Sequence, residues 1–255
     1  MPANGSPRRL WSFAGAAVLL LAAALYGLDQ LARSRTVQVF GRLVPRVDTP
    51  ERVVALTFDD GPAREVVGDV IDVLASRRVR ATFFVIGADV AAAPEATRRL
   101  VAAGHELGNH SYTHARMALK SQAFLRGEVE RTDGLIRAAG HAGEIYFRPP
   151  FGRKLLGLPW YLWRTGRTSV TWDVEPDSYP EVAATAEGIA THVAERVRPG
   201  SIVLLHVWYP SRATSRAAVP LVIDRLHADG YRFVTVGELL GGASLRTQGA
   251  SSQKS

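Results

Sequence analysis

Val53-Val54-Ala55-Leu56-Thr57-Phe58-Asp59-Asp60-Gly61-Pro62 joins an apolar run to two adjacent carboxylates and a turn. The run Arg52 to Phe58 reads as a buried strand, and Gly61-Pro62 carries the chain away from its end. A buried strand end is a costly place for negative charge, so Asp59 and Asp60 require a cation, hydrogen bonds or a raised pKa. Taken alone, an Asp-Asp pair reads as a helix cap beside a solvated neighbour. The partners found further along the chain overturn that reading.

Outward from this strand, short β-rich runs alternate with helical stretches. The expected strands are Val53–Phe58, Ala81–Ile86, His105–Gly108, Tyr146–Arg148, Ser169–Trp172, Ile202–His206 and Phe233–Val236. The expected helices are Arg64–Arg77, Ala91–Ala103, Ser121–Ala139, Leu155–Thr165, Val182–Arg196 and Ala217–Asp229. Val66, Val70, Val73 and Leu74 show the helical spacing of apolar positions. Unbroken strand–helix alternation predicts an α/β domain with a parallel sheet and helices outside, either open or closed as a barrel. Active groups then belong at the C-terminal ends of the strands.

Composition narrows the function classes. The 255 residues are 47% hydrophobic and 22% charged, ordinary for a globular domain with a full core. The absence of cysteine excludes disulfides, thiolate zinc sites and cysteine nucleophiles. The formal net charge of +7 comes from arginines scattered among acids, with no basic cluster interleaved with stacking aromatics. A salt-bridged surface, not a nucleic-acid interface, is the reading.

Trp11 to Leu28 carries no charge and is mostly Ala, Leu, Val and Gly. As a helix it reaches roughly 27 Å, barely a bilayer core. Arg8 and Arg9 precede it, which places the N-terminus in the cytoplasm and exports the rest. An uncleaved anchor is favoured over a cleaved signal peptide, because apolar residues continue past Ala22-Ala23-Ala24. The expected divisions are a basic segment at 1–10, a signal-anchor or signal-peptide helix at 11–31, a connector at 32–51, a folded domain at 52–241 and a disordered tail at 242–255.

Four further elements carry chemistry. Asn109-His110-Ser111-Tyr112-Thr113-His114 brings two imidazoles to one face if the segment makes a helical turn, and two His with one carboxylate suit zinc or a neighbouring ion. Arg148-Pro149-Pro150-Phe151-Gly152 fixes an extended backbone that aims Arg148, with Asp59 as an ion-pair partner. Trp172-Asp173-Val174-Glu175-Pro176-Asp177 gathers three carboxylates behind an aromatic ring. Ile202-Val203-Leu204-Leu205-His206 ends a buried strand on an imidazole. A lone histidine there is ordinarily a satisfied core residue; beside the other elements it becomes a candidate.

In this order and spacing the five elements resemble the polysaccharide deacetylases of carbohydrate esterase family four, from about Val53 to Leu240. The resemblance implies a distorted (β/α)7–8 barrel and a divalent ion, zinc first, with cobalt or another first-row ion as alternatives. It implies Asp59 as general base, with Asp60, His110 and His114 as metal ligands. It also implies that Arg148 orients the base, Phe151 offers its backbone N–H to the oxyanion, and His206 is the general acid. Leu204 and Leu205 would line the acetyl pocket. The fourth element departs from the family pattern, in which an Asp precedes a Trp. Asp177 is the choice for the partner of His206, with Asp173 and Glu175 as rivals, and Trp172 is the candidate aromatic wall.

As to activity, the resemblance implies metal-dependent removal of acetyl groups from N-acetylglucosamine units of an envelope glycan, peptidoglycan before chitin-like oligosaccharides. An O-acetyl esterase and a non-catalytic glycan-binding member are the rival readings. The expected place is the outer side of the cell membrane, or outside the cell if the N-terminal segment is cleaved.

Overall fold

The computed structural model describes residues 7–242, with side chains from Ala17 onward. The tail expected at 242–255, apart from Gly242, and most of the basic segment at 1–10 lie outside the described residues. Among the described residues there are seven strands: β1 (Leu43–Val44), β2 (Val53–Asp59), β3 (Thr82–Val85), β4 (Glu106–Asn109), β5 (Ser169–Val170), β6 (Ile202–His206) and β7 (Arg232–Val234). The helices are α1 (Pro7–Arg33), α2 (Val67–Ser76), α3 (Gly87–Ala92), α4 (Pro94–Ala102), α5 (Gln122–Ala138), α6 (Gly157–Arg164), α7 (Ala186–Arg196) and α8 (Ala213–Ala228).

β2 is buried at every position and is the axis of the sheet. It pairs in parallel with β6 along Ala55–Asp59 and with β3 along Thr57–Asp59, while β7 pairs with its first residues, Val53–Ala55. β3 in turn pairs with β4. The pleat sorts β2 and β6 into two cores, as a period of two requires. Val54, Leu56, Phe58, Val203 and Leu205 pack outward against helices, whereas Val53, Ala55, Ile202 and Leu204 face an inner cluster with Phe84, Val170 and Trp172. Each such valine, leucine, isoleucine or phenylalanine side chain removed from water contributes about 1.5–3 kcal/mol. A third cluster joins Phe147 to α5 and α6.

The barrel does not close. β1 and β5 form a separate two-stranded pair, joined to β4 only by single bridges through Phe147. The strand expected at Tyr146–Arg148 is reduced to those bridges, since Pro149 and Pro150 supply no backbone donors to extend it. The helix expected at Ala91–Ala103 is broken into α3 and α4 at Ala93, whose φ of −132° and ψ of 58° leave the helical region just before Pro94. The last strand stops short of Val236, whose N–H goes instead to Thr82 Oγ1.

The 32–51 connector is seated on the domain. It supplies β1, and Lys154 donates its backbone N–H to the Ala32 carbonyl at 2.8 Å. Among the described residues no helix is long and apolar enough to cross a membrane, although Val18 to Leu21, Leu25, Tyr26 and Leu28 of α1 are exposed.

Candidate active site

Register alone gathers much of the site. Asp59 and His206 are paired partners at the ends of β2 and β6. On the other side the Asn109–Phe147 bridge sets the following residues, His110 and Arg148, side by side. Parallel strands ending at one level thus deliver four functional side chains to one rim. Asp60 follows at a φ of 71°, and Gly61 turns with a φ of 58° directly beneath Trp208. A Cβ on Gly61 would meet that indole at 2.6 Å, so this turn accepts only glycine without a shift.

Arg148 is fully buried and spends its donors at one corner. Nη1 reaches Asp59 Oδ1 at 2.6 Å and Thr57 Oγ1 at 2.8 Å, Nη2 reaches the Thr171 carbonyl at 3.0 Å, and the guanidinium lies 3.9 Å from the centre of the Phe84 ring. Burial pushes the Asp59 carboxyl above its ordinary value, even though the charges of Arg148 and His206 pull it down. Within the protein alone desolvation outweighs the arginine.

Asp60, His110 and His114 each present one ligand atom, all within 4.8 Å of one another. His110 Nδ1 donates to the Arg148 carbonyl at 2.8 Å, which leaves Nε2 as the free lone pair. Burial drives the His110 pKa down to about 3, so the ring is neutral. Asp60 Oδ1 is buried without a hydrogen-bond partner and lies 3.9 Å from His110 Nε2 and 3.5 Å from His114 Nε2. An orphaned carboxylate oxygen facing a neutral imidazole and a second ring is a donor set that fits a divalent cation.

The two imidazoles do not meet on a helical turn. Residues 110–114 form a tight loop in which Ser111 and His114 have φ of 65° and 57°. Glu128 of α5 pins it, accepting from the N–H groups of Tyr112 and Thr113 at 3.0 and 2.8 Å and from Thr113 Oγ1 at 2.9 Å. Sequence reasoning missed Glu128. Its signal was an acid on the buried stripe of α5 beside Leu125 and Val129.

At the opposite wall, Asp177 is the carboxylate that meets His206. Oδ2 accepts the His206 backbone N–H at 2.7 Å, and Oδ1 lies 3.2 Å from Nδ1. Burial alone would lower the His206 pKa, but the hydrogen bond and charge of Asp177, with Asp59 and Asp60 nearby, raise it. Asp177 is lowered in turn, its own burial outweighed by His206. The rivals are committed elsewhere. Asp173 accepts from Ser201 Oγ and the Ile202 N–H, both at 2.8 Å, and Glu175 accepts from Arg35 and from Trp172 Nε1.

Asp59, Asp60, His110, His114 and His206 line one cleft of about 490 Å³, with Trp172, Phe151 and Leu204 in its walls and Arg148 and Asp177 buried behind it. Phe151 has a φ of 58°, and its ring lies 4.5 Å from that of His114. Leu205 is a correction: it faces the outer core with Val203, one residue out of phase with the cleft.

A sequence-family profile described as Polysaccharide deacetylase matches residues 46–166. The chain is 41% identical over 200 residues to a chitooligosaccharide deacetylase of Bradyrhizobium sp. (strain ANU 289), covering 74% of this chain and 90% of that protein. It is 33% identical over 201 residues to a peptidoglycan-N-acetylglucosamine deacetylase of Bacillus cereus, covering 78% and 93% respectively. Among solved structures, the Bc1960 peptidoglycan N-acetylglucosamine deacetylase in complex with a benzamide compound superposes with a TM-score of 0.70 at 29% identity, covering 74% of this chain and 88% of that one.

Proposed function

The chain belongs to the polysaccharide deacetylase family, and from that membership we propose that it hydrolyses the acetamide of N-acetylglucosamine units in a glycan, releasing acetate. The observation that carries this is the meeting, in one cleft, of Asp59, the Asp60/His110/His114 cluster and His206, with Arg148 and Asp177 paired to Asp59 and His206 from behind.

Asp60, His110 and His114 would hold the divalent ion, zinc by the nature of two imidazoles and one carboxylate. An ion bound there would supply polarisation of the acetyl carbonyl and a more acidic water. Asp59 accepts the proton of the attacking water. Arg148 holds Oδ1 of that carboxylate in place. His206, with Nδ1 engaged by Asp177, gives its Nε2 proton to the departing sugar amine, and its raised pKa keeps that proton available near neutral pH. The Phe151 N–H is assigned to the oxyanion, Leu204 to the acetyl pocket and Trp172 to the sugar face.

Peptidoglycan or a chitin-like oligosaccharide is the substrate class, in keeping with what the relatives are named for. Export is supported by the charge-free run from Trp11 to Leu28 behind Arg8 and Arg9, which reads as a signal or anchor segment. An acetate-release assay across N-acetylglucosamine oligomers and peptidoglycan tests the function. Release that vanishes on chelation and returns with zinc is expected; no release from either glycan would refute it.

A further inference from the structure

The chemistry leaves the mouth of the cleft unexplained. Arg33, Arg35, Arg153 and Arg212 all line it, and with Asp59 set against Arg148 and Asp60 given to the ion, Glu175 is the one lining carboxylate left to oppose them. Arg35 is spent on Glu175 at 2.7 Å and lies over Trp172, where it braces the aromatic wall. Arg33 and Arg153 share a single carboxylate, Asp29, at 2.7 and 3.3 Å. Arg212 donates to the Asp177 carbonyl at 3.0 Å, and among the described residues it ion-pairs with no carboxylate side chain. The rim therefore carries more guanidinium than its acids neutralise.

Two of these arginines belong to the segment leading out of α1, and they are held in place. The Lys154 side chain is buried and its Nζ donates to the Ser34 carbonyl, while its N–H takes the Ala32 carbonyl at 2.8 Å. A surplus of planar, fixed donors at the edge of a sugar cleft matches a carboxylate better than a neutral hydroxyl. We propose that this rim, chiefly Arg33, Arg153 and Arg212, binds a carboxylate on the sugar next to the attacked N-acetylglucosamine, and so selects acidic over neutral glycans. The proposal rests on the deacetylase reading above.

The test compares kcat/KM for acetate release from alternating N-acetylglucosamine–N-acetylmuramic acid oligomers whose lactyl carboxylates are free or methyl-esterified, with uncharged N-acetylglucosamine oligomers alongside. The free acid is expected to react roughly tenfold faster than its ester at low salt, the worth of one charge-assisted contact. That gap narrows at high salt, because Arg33 is 55% exposed. R33Q/R153Q should bring the acid-to-ester ratio close to one. Equal rates for acid and ester in the unaltered enzyme would overturn the rim proposal while leaving deacetylation standing. A full ratio surviving in R33Q/R153Q would overturn the assignment to these arginines. Acetate from none of the glycans, the uncharged oligomers included, would remove the deacetylase reading and the rim with it.

Discussion

His110 follows the end of β4 and His206 ends β6, two parallel strands of one sheet with β3 and β2 between them, yet their surroundings prepare them for opposite work. His110 gives Nδ1 to a backbone carbonyl and is driven neutral by burial, to about 3. His206 gives Nδ1 to Asp177 and holds its proton above the ordinary value. Both rings are largely shielded from water, so burial does not separate them. The partner of Nδ1 does: with a carbonyl there desolvation prevails even over the nearby Asp60 charge, whereas a hydrogen-bonded carboxylate overturns it. One wall of the cleft is thus a place for a cation and the other for a proton, with Asp59 between them.

Several substitutions break or sharpen that contrast. The largest effect is expected from Asp59→Asn, which should keep the bound ion and lose roughly 10²- to 10⁴-fold in acetate release; full activity in this variant would remove Asp59 from the chemistry. Asp177→Asn should make His206 resemble His110. The basic limb of the kcat/KM profile should then move to lower pH, with about a tenfold loss above it for each unit the pKa falls. An unmoved limb would show that His206 does not set it. Glu128→Gln should loosen the 110–114 loop and weaken ion affinity by about tenfold, measured by competition with a chelator, with the basic limb unchanged.

The smallest effect is on stability. The His206 pKa is raised from 6.5, so the stability it contributes is complete below 6.5 and is lost as pH rises through the folded-state value. Asp177 is lowered from 3.8, so its contribution is present above 3.8 and disappears as pH falls through its folded-state value. Thermal melts of the unaltered protein against Asp177→Asn should converge at both extremes and differ most between them.

Much of this was legible in the sequence because it is local. The β2 run is apolar at successive positions, and the carboxylates, imidazoles and arginine stand directly after strand-like segments, so a parallel arrangement places them on one rim. What was not legible depends on contacts across long stretches of chain. Asp173, Glu175 and Asp177 are indistinguishable as a string. They are separated by Ser201 and Ile202, by Arg35 from 140 positions away, and by His206. The loop bearing His114 follows from Glu128 accepting backbone donors, which no spacing of histidines reveals. The barrel stayed open because the prolines after Arg148 and the shortness of β1 and β5 leave only bridges where ladders were expected.

The division between a cation wall and a proton wall is tested most directly by measuring bound zinc and acetate release side by side in His110→Gln and His206→Gln. The expected result is loss of turnover in both, with the ion lost from His110→Gln and retained at wild-type stoichiometry by His206→Gln. An ion lost from His206→Gln, or held undiminished by His110→Gln, would contradict the division.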